Sequence, residues 1–550
     1  MSKNRQDESN EMSELRPGAR LVSNSVLDSS GYKPNSQISN QLLVSKLPPG
    51  NNSSSGTALQ QPLQLPKPKQ EGRKLFQYLA TLVAGSIMAQ SGMNLGWTSP
   101  VLPQLARNDS FIPGLDSEGE EVSWITSLMP LGAILGAVPS GKAADILGRK
   151  PAIGITVTPF LICWLMMLWA PFVNDRSLTT WILYGARFIG GIGAGAACVL
   201  VPVYIGEVAE PSIRGTLGTF FPIFFSLGIV FSYVAGSYLS YVVFNGTCAA
   251  LLAPFLIAVV SFLPESPSWL VQRGRKADAC KVLRLLRGPS YDVSQEITEL
   301  IEESEQLQIK EGGLRDLLGT KAGRKALATS MGLMWFQQMC GIDAVLFYTV
   351  SIFEHAHSSI DPNVATIIIG FIEVVMGLIV AVTIDRFGRK PLLVFSGTAM
   401  TFCLGVLGYY YKLMEMEEDI TSISWLPLTC IGLFNVVFSL GYGSVPYSII
   451  SELFPPETKG IAGSISIMTN WFLVFVVTRT FHVLTRMLNT SLTFWLFAAV
   501  CAVSALFAFV YVPETKGKTL QEIQTKLARR KRNRRRQDEE DESKAPTGPA

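Results

Sequence analysis

Runs of about 20 mostly apolar residues alternate with short polar gaps along most of this chain. They lie at roughly 75–97, 122–143, 151–171, 181–205, 216–242, 247–263, 326–352, 363–384, 391–411, 425–450, 461–483 and 491–512. A helix needs about 20 apolar residues to cross a ~30 Å hydrocarbon layer, so each run predicts one membrane-spanning helix. Several runs contain Gly and Pro, which membrane helices tolerate better than soluble ones. Glycine is dense from Gly185 to Gly195, where small side chains let neighbouring backbones approach closely. Six runs precede a polar stretch at 264–325 and six follow it. That stretch predicts short amphipathic helices, Lys276 to Leu286 and Val293 to Leu307. The predicted fold is an all-α membrane protein: two six-helix bundles, 74–263 and 326–512, joined by a helical linker at 264–325. Polar tails occupy 1–73, predicted disordered from its Ser, Asn, Gln and Pro content, and 513–550.

The two bundles are written from one plan. Asp145-Ile-Leu-Gly148-Arg149-Lys150-Pro151 returns as Asp385-Arg-Phe-Gly388-Arg389-Lys390-Pro391. Glu207 with Arg214-Gly215 returns as Glu452 with Lys459-Gly460, and Pro264-Glu265-Ser266 as Pro513-Glu514-Thr515. Three matched pairs in one order mark an internal repeat. Two pseudo-symmetric halves predict a carrier that rocks around a site at the middle of the bilayer. The repeated loops then read as hinges and latches. Their acids and bases form weak surface pairs, ~0–1 kcal/mol each, which suits a gate that must open often.

Charge distribution orients the chain. Lys142, Arg149 and Lys150, then Arg386, Arg389 and Lys390, and the basic tail Arg529 to Arg536 all fall on one side, which the excess of Lys and Arg marks as cytoplasmic. An even number of spans places both termini there, and the N-terminus carries no visible cleavable signal peptide. Sequons at Asn108, Asn245 and Asn489 land in loops on the outer side and are candidate glycosylation sites. The run Arg529 to Arg536 can bind anionic lipid, at ~1 kcal/mol per residue near the surface.

Composition changes the picture little. A net charge of +3 says little about partners, and no nucleic-acid partner is expected. The eight cysteines are scattered, mostly within apolar runs, and the three histidines lack metal-ligand spacing. No cofactor is expected. The phosphate-binding pattern G-x-x-x-x-G-K-[ST] is absent, which argues against ATP-driven pumping.

Over 75–517 the chain resembles the sugar porter family of the major facilitator superfamily. The resemblance rests on both D-x-x-G-R-K motifs, Arg187-Phe-x-Gly-Gly191, Pro202-Val-Tyr204-Ile-Gly-Glu207, Arg214-Gly215, Pro264-Glu-Ser-Pro-Ser-Trp-Leu270, Gln337-Gln338-x-x-Gly341-Ile342 and Pro513-Glu-Thr-Lys-Gly517. Within the family, Gly96-Trp-Thr-Ser-Pro100 and Pro222 are similar to the insect facilitated trehalose transporters. The resemblance implies the major facilitator fold and sugar transport at the plasma membrane, not enzymatic activity. It also implies a cytoplasmic gate closed crosswise: Asp145, Arg149 and Lys150 against Glu452 and Lys459, and Asp385, Arg389 and Lys390 against Glu207 and Arg214.

A sugar needs amides or carboxylates for its hydroxyls and rings for its apolar faces. By resemblance the lining positions are Gln337, Gln338, Asp343, Glu373, Tyr447, Asn470 and Trp471. Gln338 and Asp343 would point about 140° apart on a regular helix, so both face one cavity only if the helix loosens between them, at Gly341. The chain departs from its family at Asp343 and Glu373, where Asn is usual, at Tyr447 for Trp, and at Cys340 for Ser. Charged acids at mid-membrane cost ~2.5–3.5 kcal/mol each on insertion scales. They could hold sugar hydroxyls, carry coupling protons, or favour a cationic or otherwise unusual solute. Met93 stands where sugar symporters usually carry their proton-coupling acid. The first expectation is facilitated diffusion of trehalose or a hexose by alternating access. The alternatives are a proton-coupled or non-sugar carrier, and a non-transporting sugar receptor.

Overall fold

The computed structural model describes residues 72–529 apart from 117–118, 310–312, 357–359 and 519; the side chains at 306–309, 381, 384–385, 456 and 528–529 also lie outside the description. Among the described residues the regular structure is helical throughout. The spans run Leu75–Gly96, Glu120–Leu147, Arg149–Phe172, Arg176–Val208, Arg214–Tyr238, Tyr241–Phe262, Lys321–His355, Pro362–Phe387, Arg389–Glu415, Thr421–Leu453 and Pro456–Tyr511.

The last tract holds two spans. Ser330 Oγ lies 2.6 Å from Ser466 Oγ, while two positions further on, a Cβ at Gly332 would stand 2.6 Å from the Phe507 ring. A straight helix would hold residues 466 and 507 roughly 60 Å apart at 1.5 Å per residue. The chain therefore doubles back, and it does so at Asn489, whose φ is +67°. Among the described residues there are thus twelve spans, six on each side of a linker built from helices Pro267–Gln272, Lys276–Arg287, Ser294–Ile309 and Leu314–Gly319.

Helix starts follow their caps. Asp175 accepts from Ser177 N, Asp361 from Asn363 N and Val364 N, and Thr320 from Gly323 N, each satisfying amides that the first turn leaves free. The seventh span begins at Lys321, five residues before its apolar run, because a helix can start in the polar interface once a cap is present. Spans 2 and 4 meet backbone to backbone. A Cβ at Gly132, Gly191 or Gly195 would run into the main chain of Phe188, Met129 or Ala133, so the dense glycines act by absence of bulk.

The linker is fastened to the first half. Arg287 is 3% exposed, pairs with Glu296 at 2.8 Å and donates to Val208 O at 2.9 Å. Trp269 Nε1 and Arg273 Nη2 both donate to Asp145 O.

The halves touch away from the repeated motif. Ser123 Oγ donates to Arg479 O at 2.8 Å, and the Arg479 guanidinium lies 4.8 Å from the Trp124 ring. Arg486 pairs with Asp116 at 2.5 Å. Tyr233 donates to Leu346 O, Val350 N to Ser99 Oγ, and Ser237 to Asn363. Arg479 thus reaches across the two halves, held by Trp124 and Ser123. At the motif end, a notional Cβ at Gly206, Gly218, Gly460 or Gly463 would meet nothing within 4 Å beyond its chain neighbours and its own helix backbone.

Candidate functional site

The seventh span breaks at the expected place. Its first helix ends at Met339, Gly341 adopts φ +89°, and a second helix runs Ile342–His355. A Cβ at Gly341 would also stand 2.6 Å from the Phe497 ring, so backbone and packing both call for glycine. The tenth span breaks as well, between Leu426–Leu440 and Val445–Leu453. That second break was not anticipated, although Gly441-Tyr-Gly443-Ser-Val-Pro446 carries its signal.

The two breaks are tied together. Gln337 Nε2 donates to Tyr442 O at 2.8 Å, within the tenth-span break, and Asn470 Nδ2 donates to Gln337 Oε1 at 2.9 Å. The amide of Gln337 therefore joins spans 7, 10 and 11. Trp471, beside Asn470, is buried, and Tyr447 is 46% exposed. Cys340 Sγ lies 2.9 Å from Gln337 O inside the bend.

The remaining candidates have oxygens to spare. Gln338 and Asp343 are 6% and 5% exposed. Gln338 Oε1, Asp343 Oδ2 and Glu373 Oε2 are buried and meet no donor among the described residues. Glu373 Oε1 accepts from Ser226 Oγ at 3.1 Å, a bond from span 5 in the first half to span 8 in the second. Ser226 is a site residue that sequence reasoning missed. Its signal was a lone hydroxyl one helical turn beyond Pro222. Buried polar atoms are ordinarily paired; these three are among the buried side-chain atoms left without a partner among the described residues.

The repeated motif forms two copies of one cluster. Arg149 pairs with Asp145 at 2.8 Å and with Glu207 at 2.9 Å. Arg389 pairs with Glu452 at 2.9 Å. Glu265 accepts from Arg149 N and Lys150 N, and Glu514 from Arg389 N and Lys390 N, across turns where Gly148 and Gly388 take φ +106° and +86°. These partners lie within one half; the crosswise pairing expected of a shut gate is not among them. Lys150 Nζ donates to Val260 O, Arg214 to Ala209 O, and Lys390 lies over the Phe509 ring. Lys459 is exposed, and the side chain of Asp385 lies outside the described residues.

Among the sequons, Asn108 and Asn489 are exposed. Asn245, by contrast, is turned inward. It is fully buried, its Oδ1 accepts from Trp97 Nε1 at 2.9 Å, and its Nδ2 donates to Tyr241 O. The basic run beyond Arg529 lies outside the described residues.

The profile of the family described as "Sugar (and other) transporter" matches residues 80–527. The chain belongs to this sugar transporter family. Among curated relatives, the facilitated trehalose transporter Tret1 of Culex quinquefasciatus is 38% identical over 83% of this chain and 86% of its own length. That of Aedes aegypti is 37% identical over 83% of this chain, which spans only 56% of that longer protein. Among solved structures, the proton:xylose symporter XylE bound to 6-bromo-6-deoxy-D-glucose matches with TM-score 0.66 and 25% identity, over 82% of this chain and 99% of that one. The partially occluded inward-open form of XylE from E. coli matches with TM-score 0.66, 24% identity and coverage of 81% and 100%. This member of the family is a multi-pass membrane protein with the major facilitator fold, and its family is one of transporters, not enzymes.

Proposed function

We propose that this protein moves trehalose or a hexose across the plasma membrane by alternating access, as facilitated diffusion. The observation that carries the reading is the buried acceptors of Gln338, Asp343 and Glu373 that meet no donor among the described residues, the first two flanking the break at Gly341. In this reading Gln338, Asp343, Glu373, Tyr447 and Trp471 contact the solute, while Gln337 and Asn470 hold the breaks together. The similarity to facilitated trehalose transporters supports the substrate class.

The motif face is the cytoplasmic side, with both termini there. The clusters around Arg149 and Arg389 form the gate, with Asp145, Lys150, Glu207 and Arg214 in one half and Asp385, Lys390, Glu452 and Lys459 in the other. They rest within each half when the gate is open and exchange partners when it shuts. Asn108 and Asn489 face outward and accept glycans, and the tail at Arg529 to Arg536 contacts anionic lipid.

Uptake of labelled trehalose and glucose into liposomes carrying the purified protein tests this reading. Equilibrating uptake of either sugar is expected, with no accumulation when a proton gradient is imposed. Uptake of neither sugar would overturn it. Accumulation driven by the gradient would make the protein a proton symporter, with Asp343 and Glu373 as the candidate carriers of the proton.

A further inference from the structure

The central site is rich in acceptors and poor in cations. Asp343 is 5% exposed, and neither it nor Glu373 forms an ion pair with a Lys or Arg among the described residues. Of the arginines deep within the spans, Arg187 is fully buried, donates to Asn94 Oδ1 and Ile125 O, lies over Trp97 and keeps Nη2 without a partner among the described residues. Arg479 is held by Ser123 and Trp124. Among the amides, Gln337 and Asn470 have given their NH₂ groups to Tyr442 O and Gln337 Oε1. Ser226 has given its hydroxyl to Glu373 Oε1. The oxygens still without a donor are Gln338 Oε1, Asp343 Oδ2 and Glu373 Oε2.

A neutral sugar hydroxyl supplies one donor and no charge. A primary ammonium supplies three donors and a positive charge, and a charge-assisted bond to a carboxylate is roughly twice as strong as a neutral one. Within the low dielectric between the halves, that difference is largest. We infer that Asp343 and Glu373 make this carrier selective for sugars bearing a protonated amine, with the amino group seated between spans 7 and 8 and the remaining hydroxyls on Gln338. This rests on the reading of the protein as a sugar carrier and narrows its substrate class to amino sugars. Glu373 adds a second property. Because its other oxygen holds Ser226 of the opposite half, an ammonium bound there bridges both halves, so occupancy bears on the movement between them.

The test is competition in proteoliposomes at about pH 6.5, below the ~7.7–8.0 of an ordinary α-amino group. Uptake of labelled glucose is measured against unlabelled glucose, glucosamine, N-acetylglucosamine and trehalose. The acetylated sugar keeps the bulk at the same carbon and loses the charge. Glucosamine is expected to compete about tenfold better than glucose, the factor that one 1.4 kcal/mol interaction supplies, and N-acetylglucosamine no better than glucose. Labelled glucosamine is itself expected to be taken up. Asp343→Asn and Glu373→Gln keep the shape and remove the charge. In each, the ratio of glucosamine to glucose competition is expected to fall towards one, a ratio that does not depend on how much protein survives reconstitution. Equal competition by glucosamine and glucose in the unmutated protein would overturn the inference and leave the carrier reading standing. So would a preference for glucosamine that both variants retain. Absence of uptake of every sugar would overturn the carrier reading itself.

Discussion

Replacing Glu207 by Gln takes the charge from the deepest ion pair of the motif face. The Arg149 side chain is 7% exposed; it meets Glu207 through Nε at 3.0 and 3.3 Å and through Nη2 at 2.9 Å. Leaving a buried arginine without its acid costs about 3–5 kcal/mol. Here Asp145 at 2.8 Å and Ala144 O at 3.0 Å remain, but Asp145 is 66% exposed and contributes at the lower, surface scale. The net loss is about 2–3 kcal/mol. The second copy supplies an internal control. Arg389 and Glu452 are 13% and 26% exposed, so Glu452→Gln is expected to cost about 1–2 kcal/mol by the same reasoning, nearer the surface limit. The assay is thermal unfolding of detergent-purified protein followed by tryptophan fluorescence at one scan rate, because unfolding of such proteins is often irreversible and rate-dependent. A double-mutant cycle between Arg149→Met and Glu207→Gln should show strong coupling, and one between Arg149→Met and Glu452→Gln almost none. Stronger coupling across the halves than within them would refute the pairing described here.

Gly341→Ala is expected to abolish uptake at normal expression, since it puts a Cβ on a left-handed residue and against Phe497; retained transport would show that the break tolerates a side chain. Asn108→Gln should remove a glycan and shift the protein on a gel, while Asn245→Gln leaves the glycan pattern intact. Asn245→Leu should instead destabilise by about 1–3 kcal/mol, because Trp97 Nε1 loses its buried acceptor, read as a lower melting temperature. Burial pushes the Glu514 carboxyl up, but the amides of Lys516, Arg389, Lys390 and Thr515 outweigh it and hold the group below its ordinary value of 4.5. A depressed carboxyl stabilises fully above its unfolded pKa and loses that contribution as pH falls through the folded one. The melting difference between the protein and Glu514→Gln should therefore be constant near neutrality and shrink below about pH 4.5; a difference that grows on acidification would reverse the sign argued here.

Hydropathy along the chain determined the twelve spans, the linker between two halves and the break at Gly341. Crossing a bilayer demands length and apolarity that are local in sequence, and a left-handed residue inside a helix demands glycine, which is also local. The departures at Asp343 and Glu373 were legible for the same reason, as acids within apolar runs. The partners of those residues were not. Glu207 lies 58 positions from Arg149, and Ser226 lies 147 from Glu373. The repeat makes every base complementary to two acids, one in each half, so charge alone permits both the crosswise and the internal pairing. Only the tertiary arrangement selected the internal one. It also decided which amides were free. Gln337 and Gln338 are chemically identical and adjacent, yet one faces Tyr442 and Asn470 while the other keeps a bare oxygen. Successive helical residues point about 100° apart, and what stands in each direction is set by other helices.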